Sequence, residues 1–285
     1  MGDIGEGPSQ HAHGEYPLRQ RSGWDQGRPQ DGGPRPVEIE KLRRDWDDLA
    51  HLDPFWAVLT EQDRRFRRWN ARAFFDTGER EIEQLMKNCR ALGYPQARER
   101  ALDFGCGVGR LTRPLARHFA ECCGIDISPK MIELAKWLNR SLGNCRFVTN
   151  GKDDLRVVPA SHFDLIYTIN VLQHMSTRTQ IESYLAEFVR TLKAGGLLVA
   201  QLPAGVPLWH RIRLTLSSAA YASLRKLGVN ERFVYETLRL SPIRMNSMRE
   251  GEVVAYLESL GASVLRVEKR TEIGLPQSRA YFVTK

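Results

Sequence analysis

The stretch LDFGCGVGR, residues 102–110, decides the fold, because three of its residues are glycines at alternate positions. A glycine either removes a side chain or permits φ > 0, and both let a ligand lie directly against the main chain. The run RERALDF that leads into it predicts a strand, and RLTRPLARHFAE that follows predicts a helix. A ligand held by such a strand–turn–helix sits at a helix N-terminus, beyond the carboxyl end of a strand.

Working outward toward the C-terminus, strands and helices alternate. ECCGIDI, NCRFVTN, FDLIYTIN and GGLLVAQLP are short apolar runs of strand type. Between them, SPKMIELAKWLNR predicts a helix with Ser128 as N-cap and Pro129 at its first position, and TQIESYLAEFVRTL predicts another. Near-continuous apolar strands alternating with helices predict a parallel sheet covered on both faces. The end of the chain differs. SMREGEVVAYLESLG predicts a helix, and ASVLRVEKR and SRAYFVTK predict two strands joined only by TEIGLPQ. A parallel crossover needs about a dozen residues or more, so these two strands must pair antiparallel. The expected fold is α/β: a doubly wound, mainly parallel seven-stranded sheet whose last strand is antiparallel.

Toward the N-terminus, VEIEKLRRDWDDLAHL carries Val37, Ile39, Leu42, Trp46 and Leu49 at helical spacing, and EREIEQLMKNCRALGY predicts a second amphipathic helix from Glu79 that stops at Gly93. Residues 1–36 hold eight Gly and five Pro with almost no apolar periodicity, which predicts a disordered tail. The domains expected are therefore a tail (1–36), a helical preface or lid (37–98) and a nucleotide-binding domain (99–285). Within the last, residues 204–247 are a helical insertion after the fifth strand. That insertion is basic: Trp209 to Arg249 contain eight Arg or Lys and two Glu, most of the net charge of +8. Such a segment suits an acidic substrate, RNA or an anionic membrane surface, or is a solvated helical face. No apolar run reaches the roughly 18 residues of a transmembrane helix, and the N-terminus has no apolar signal segment. Cys89, Cys106, Cys122, Cys123 and Cys145 form no C-x-x-C pair, an odd set that fits reduced thiols and a cytoplasmic location.

Which ligand the loop holds follows from its spacing. The dinucleotide fingerprint G-x-G-x-x-G, counted from Gly105, would need glycine where Arg110 stands. Asp126 ends the second strand 21 positions after Gly105, the distance at which an acid takes ribose hydroxyls. Together with Asp103 in the first strand, these residues predict a nucleoside-containing ligand without the dinucleotide motif.

ALDFGCGVGRL, CGIDISPKMIELAK, FDLIYTINVLQHM and LKAGGLLVAQLP resemble the successive motifs of class I S-adenosylmethionine-dependent methyltransferases, and DPFWAVLT and FFDTGEREI resemble the helical preface of small-molecule members. The resemblance implies S-adenosylmethionine as cofactor. It implies that Asp103 orients the loop and the methionine end, and that Gly105, Cys106, Gly107 and Gly109 bring main-chain groups to the methionine moiety and ribose. Asp126 would accept from both ribose hydroxyls, Ile127 and Met131 would lie against the adenine, and Asp153 or Asp154 near its amine. Asn170 and Val171 would line the cofactor where the methyl group faces the acceptor.

Methyl transfer from a sulfonium is an in-line displacement that needs alignment and, for a hydroxyl acceptor, a base. His174, four residues past the fourth strand, is placed either to serve as that base or to hydrogen-bond and shape the site. Phe55, Trp56, Trp69, Phe74 and Phe75 would be a lid or plain core, and Trp209, His210, Arg211, Arg213, Tyr221 and Tyr235 of the insertion would cap a substrate carrying carboxylate or phosphate. The isolated pair Asp153-Asp154 predicts no metal site. Asn170-Val171-Leu172 lacks the Asn-Pro-Pro-aromatic pattern, which argues against amino-group methylation of adenine or cytosine. The function expected is methyl transfer to oxygen or nitrogen of a small-molecule metabolite, for which an acidic acceptor is one option. The alternatives are an RNA methyltransferase using the basic insertion and a non-catalytic binding protein of the same fold.

Overall fold

The computed structural model describes residues 37–272 and 275–285, so the expected disordered tail at 1–36 lies outside the described residues. Seven strands form one sheet: β1 (Arg100–Phe104), β2 (Glu121–Asp126), β3 (Cys145–Thr149), β4 (Phe163–Thr168), β5 (Leu192–Pro203), β6 (Ser263–Glu272) and β7 (Leu275–Thr284). Their order is β3-β2-β1-β4-β5-β7-β6. β1 to β5 pair parallel, while β7 runs antiparallel between β5 and β6. The order reverses between β1 and β4, so the crevice at their carboxyl ends is the topological switch point where ligands bind in such sheets.

Helices cover both faces. α3 (Ala71–Leu92) lays Ile82, Leu85, Met86 and Cys89 into one core with Ala101, Leu165, Tyr167 and Val199 of the sheet. On the opposite face α6 (Arg178–Thr191) brings Tyr184 and Phe188 to within 4.7 and 5.0 Å, ring to ring, of Phe104. Ala101 and Phe104 serve opposite faces because they are three apart on a strand. α5 (Pro129–Leu138) begins as expected, with Ser128 Oγ accepting from the Met131 N–H at 3.1 Å.

Three elements differ from expectation. α3 starts at Ala71, capped by Asn70, rather than at Glu79. Gly78 lies inside this helix, and its missing side chain serves packing: a Cβ there would lie 2.2 Å from the Arg110 carbonyl oxygen. The helix expected after the glycine loop shrinks to α4 (Thr112–Leu115), followed by turns. In the insertion, only α7 (Leu208–Lys226) is a long helix, with one π-type turn at Phe233–Thr237 after it. At the N-terminus α1 (Val37–Leu52) and α2 (Pro54–Val58) precede α3, and α8 (Glu250–Ser259) precedes β6.

Candidate active site

The glycine loop is folded back over the end of β2. The N–H groups of Gly105 and Cys106 both donate to the Ile125 carbonyl, at 2.7 and 3.0 Å. Gly107 N–H donates to Asp126 Oδ2 and Ser128 N–H to Asp126 Oδ1, each at 2.9 Å. Asp126 thus bridges the loop and the start of α5, and each oxygen keeps a further lone pair for another donor. Burial pushes its carboxyl up to about 6, against the opposing pull of those N–H groups. Asp103 is buried beneath the loop, accepts from Thr112 Oγ1 at 2.6 Å and is likewise pushed up to about 6 by burial.

The absent side chains matter at two positions. Gly105 has φ +75° and a Cβ there would lie 2.1 Å from Val171 Cγ2, while Gly107 has φ +52° and its Cβ would lie 2.3 Å from Val58 Cγ2 of α2. The loop therefore touches both the end of β4 and the N-terminal helices. Arg110, in the slot where a dinucleotide loop has glycine, turns its guanidinium away into a buried cluster: it pairs with Glu81 of α3 at 2.9 Å, and Arg270 and the Tyr167 hydroxyl reach the same carboxylate at 2.8 and 3.1 Å. The broken motif is thus a side chain recruited to fasten α3 to the loop.

At the end of β4 Asn170 takes φ +62°, a conformation that asparagine tolerates better than most residues. Its N–H donates to Gln201 Oε1 at 2.9 Å, and its own Oδ1 is buried without a hydrogen-bond partner among the described residues. Ile127 is half-buried, whereas Met131 is buried in a cluster with Trp56, Trp69 and Val108. Asp154 is held locally by Arg156 at 3.2 Å, and Asp153 is exposed.

His174 closes a one-turn 3-10 helix after β4, with its N–H on the Val171 carbonyl at 2.9 Å. Its Nδ1 lies 2.8 Å from the Arg244 carbonyl. A carbonyl only accepts, so Nδ1 carries the proton and Nε2 keeps its lone pair. Burial lowers the imidazole to about 4, outweighing that hydrogen bond, so the ring is neutral at neutral pH. His174 lines a cleft with Lys41, Trp46 and Leu49 of α1 and with Ile243 and Arg244. Trp46 meets the imidazole edge-on at 5.1 Å.

The aromatic residues of the N-terminal segment form a core: Phe55 stacks on Phe74 at 4.6 Å, and Trp56 meets Tyr235 of the insertion at 5.8 Å. Tyr221 is buried too and donates to Asp48 of α1 at 3.0 Å. Trp209, Arg211 and Arg213 are exposed, and the cations that line the cleft are instead Lys41 and Arg244. Sequence reasoning also passed over Asp47. Its Oδ1 accepts from Ser128 Oγ at 2.6 Å and Lys130 N–H at 3.0 Å, so α1 caps α5 from outside. No local signal marks it, because its partners lie 81 and 83 positions away.

A doubly wound sheet closed by an antiparallel hairpin, with a bare glycine loop and an acid ending the second strand, defines the class I S-adenosylmethionine-dependent methyltransferase family, and the chain belongs to it. A methyltransferase-domain family model matches residues 101–196. A ubiquinone biosynthesis O-methyltransferase of Rhodopseudomonas palustris is 32% identical over 194 residues, which is 65% of this chain and 68% of that protein. A demethylmenaquinone methyltransferase of Tropheryma whipplei is 39% identical over 112 residues, covering 39% of this chain and less than half, 44%, of that one. The fold is also that of magnesium protoporphyrin IX methyltransferase from Synechocystis with bound SAH, at TM-score 0.58 and 19% identity over 87% of this chain and 99% of that one. The family's cofactor, S-adenosylmethionine, fits this setting: Asp126 has acceptor capacity to spare, Asn170 Oδ1 awaits a donor, and the loop offers main chain without side chains.

Proposed function

We propose that this protein transfers a methyl group from S-adenosylmethionine to oxygen or nitrogen of a small metabolite. The observation that carries this reading is the adjacency of two features. The Asn170–Val171 end of β4 borders the glycine loop, and His174, bonded back to Val171, lines the cleft between α1 and Arg244.

In this reading Asp126 accepts from the ribose hydroxyls, and Asp103 braces the loop through Thr112. Gly105, Cys106, Gly107 and Gly109 present main chain to the methionine and ribose. Ile127 and Met131 serve the adenine side, with Asp153 or Asp154 near its amine. Bound S-adenosylmethionine supplies an activated methyl group. The chain's own contribution is alignment, which is worth several kcal/mol of barrier when an acceptor is held in line. His174 lines the cleft, and its unprotonated Nε2 takes the acceptor's proton as transfer proceeds. Trp46 and Leu49 give the cleft apolar walls, and Arg244 gives it a cation suited to an acidic or phenolic group. The relatives' names point the same way: one acts on demethylmenaquinone and the other is an O-methyltransferase of ubiquinone biosynthesis.

Residues 37–98 and 204–247 form the acceptor side of the site in this proposal, and 99–285 the cofactor domain. Five free cysteines, four of them buried, support a cytoplasmic location. Isothermal titration with S-adenosylmethionine, S-adenosylhomocysteine and NAD tests the reading. Micromolar binding of the first two, lost in Asp126→Ala, is expected; binding of NAD alone overturns it. A screen of phenolic and amine acceptors against the loaded enzyme then identifies the substrate.

A further inference from the structure

We infer that the outer face of α7 docks this protein on an anionic membrane surface. The nineteen residues of α7 hold no acid and four basic residues, of which Arg225 turns back to pair with Glu231 and Asp48, leaving Arg211, Arg213 and Lys226 exposed. Its buried side is narrow, Ser218 and Tyr221, and faces the rest of the insertion and α1: Arg244 Nε donates to Ser218 Oγ at 3.1 Å and Tyr221 to Asp48. Opposite, Leu208, Trp209, Ile212 and Leu216 leave 70%, 65%, 50% and 65% of their surfaces in water. Spacings of three and four put them on one stripe. An apolar stripe of this extent marks a surface that meets something.

Charge selects the partner. Arg211 and Arg213 lie to either side of the stripe, about 100° round the helix from Ile212, are exposed, and make no ion pair among the described residues. A second copy on this face would oppose arginine to arginine, with no acid on either helix. A nucleic acid offers phosphates but no apolar layer to receive Leu208, Ile212 and Leu216. An anionic bilayer offers both: headgroup phosphates for the arginines and acyl chains for the stripe, with Trp209 at the boundary that tryptophan favours. The same helix holds Arg244, which lines the cleft, through Ser218. Ser218 is on the buried side, so docking would hold the cleft one helix thickness, about 10 Å, from the headgroups, and the acceptor class that suits is an amphiphile drawn from the bilayer. This last step rests on the methyltransferase reading; the docking itself does not.

The test is cosedimentation of the full chain with vesicles of phosphatidylcholine alone and with 30% phosphatidylglycerol. Partitioning onto the anionic vesicles at least about tenfold above the neutral ones is expected, since each basic residue near such a surface is worth about fivefold. Trp209→Ser/Leu216→Ser and Arg211→Gln/Arg213→Gln should each reduce it about tenfold or more, with far-UV circular dichroism and melting temperature unchanged because neither pair is packed inside. No pelleting with anionic vesicles overturns the proposal, as does pelleting that both variants retain. A dimer in sedimentation velocity that Trp209→Ser/Leu216→Ser dissolves also overturns it, assigning the face to a second copy. Titration of S-adenosylmethionine in the same samples keeps the two readings separate, since cofactor binding can fail while vesicle binding stands, and the reverse.

Discussion

Asp126 and His174, proposed to hold the ribose and to take the acceptor's proton, both have titrations that burial moves away from their ordinary values. A carboxyl raised to about 6 is largely ionised at pH 7 and largely protonated at pH 5. Only the carboxylate leaves both oxygens free to accept from hydroxyls, so affinity for S-adenosylmethionine should fall about tenfold between pH 7 and pH 5. Titration calorimetry at the two pH values checks this, and Asp126→Asn should flatten much of the difference. The sign for stability is opposite. Asp103 and Asp126 bind protons more tightly folded than unfolded between about pH 4 and pH 6, so the unliganded protein loses stability as pH rises through that window. For His174, a pKa near 4 keeps the imidazole neutral throughout the working range. His174→Ala should lower kcat by about a hundredfold. With S-adenosylmethionine saturating, wild type should show no histidine inflection between pH 6 and pH 8; an inflection near 6.5 in that kcat profile would contradict the neutral ring.

Among elements, the junction of α1 with α5 decides how the N-terminal helices reach the loop. Asp47 accepts from both Ser128 and Lys130 at the start of α5. Asp47→Ala leaves those donors unpartnered and should cost about 1–2 kcal/mol. The same substitution should raise hydrogen exchange in α1 while leaving β1 and β4 protected. This contact was not legible from local pattern, although the two helices it joins were: Ile39 and Leu49 at helical spacing, and Ser128-Pro129 as cap and first turn. α3 was legible only from Glu79 onward. Gly78 lies just before that start, and its reason for being glycine lies in the Arg110 main chain, which the fold brings against it.

Across the whole molecule, one buried cluster ties α3, the glycine loop, β4 and β6 together at Glu81. Burial alone would raise this carboxyl, but Arg110 and Arg270 outweigh it and hold it below its usual range. Its contribution is complete above about pH 5 and is lost as acid carries the pH below the folded-state pKa. Glu81→Gln removes the charge that two guanidinium groups share and should cost about 3 kcal/mol. A lower urea midpoint with an unchanged slope is the expected result. The sequence by itself determined the alternation of strands and helices, the antiparallel last strand, the glycine loop and Asp126 at the end of the second strand. Each of these depends on near neighbours along the chain: period, cap, turn residue, or a connection too short to cross over. The tertiary structure alone decided that Arg110 serves α3, that Asp47 caps α5, that Lys41 and Arg244 line the cleft, and that α7 turns Arg211 and Arg213 outward. Those outcomes depend on which surfaces meet after the sheet closes, and contacts between residues far apart in sequence leave no periodicity to read.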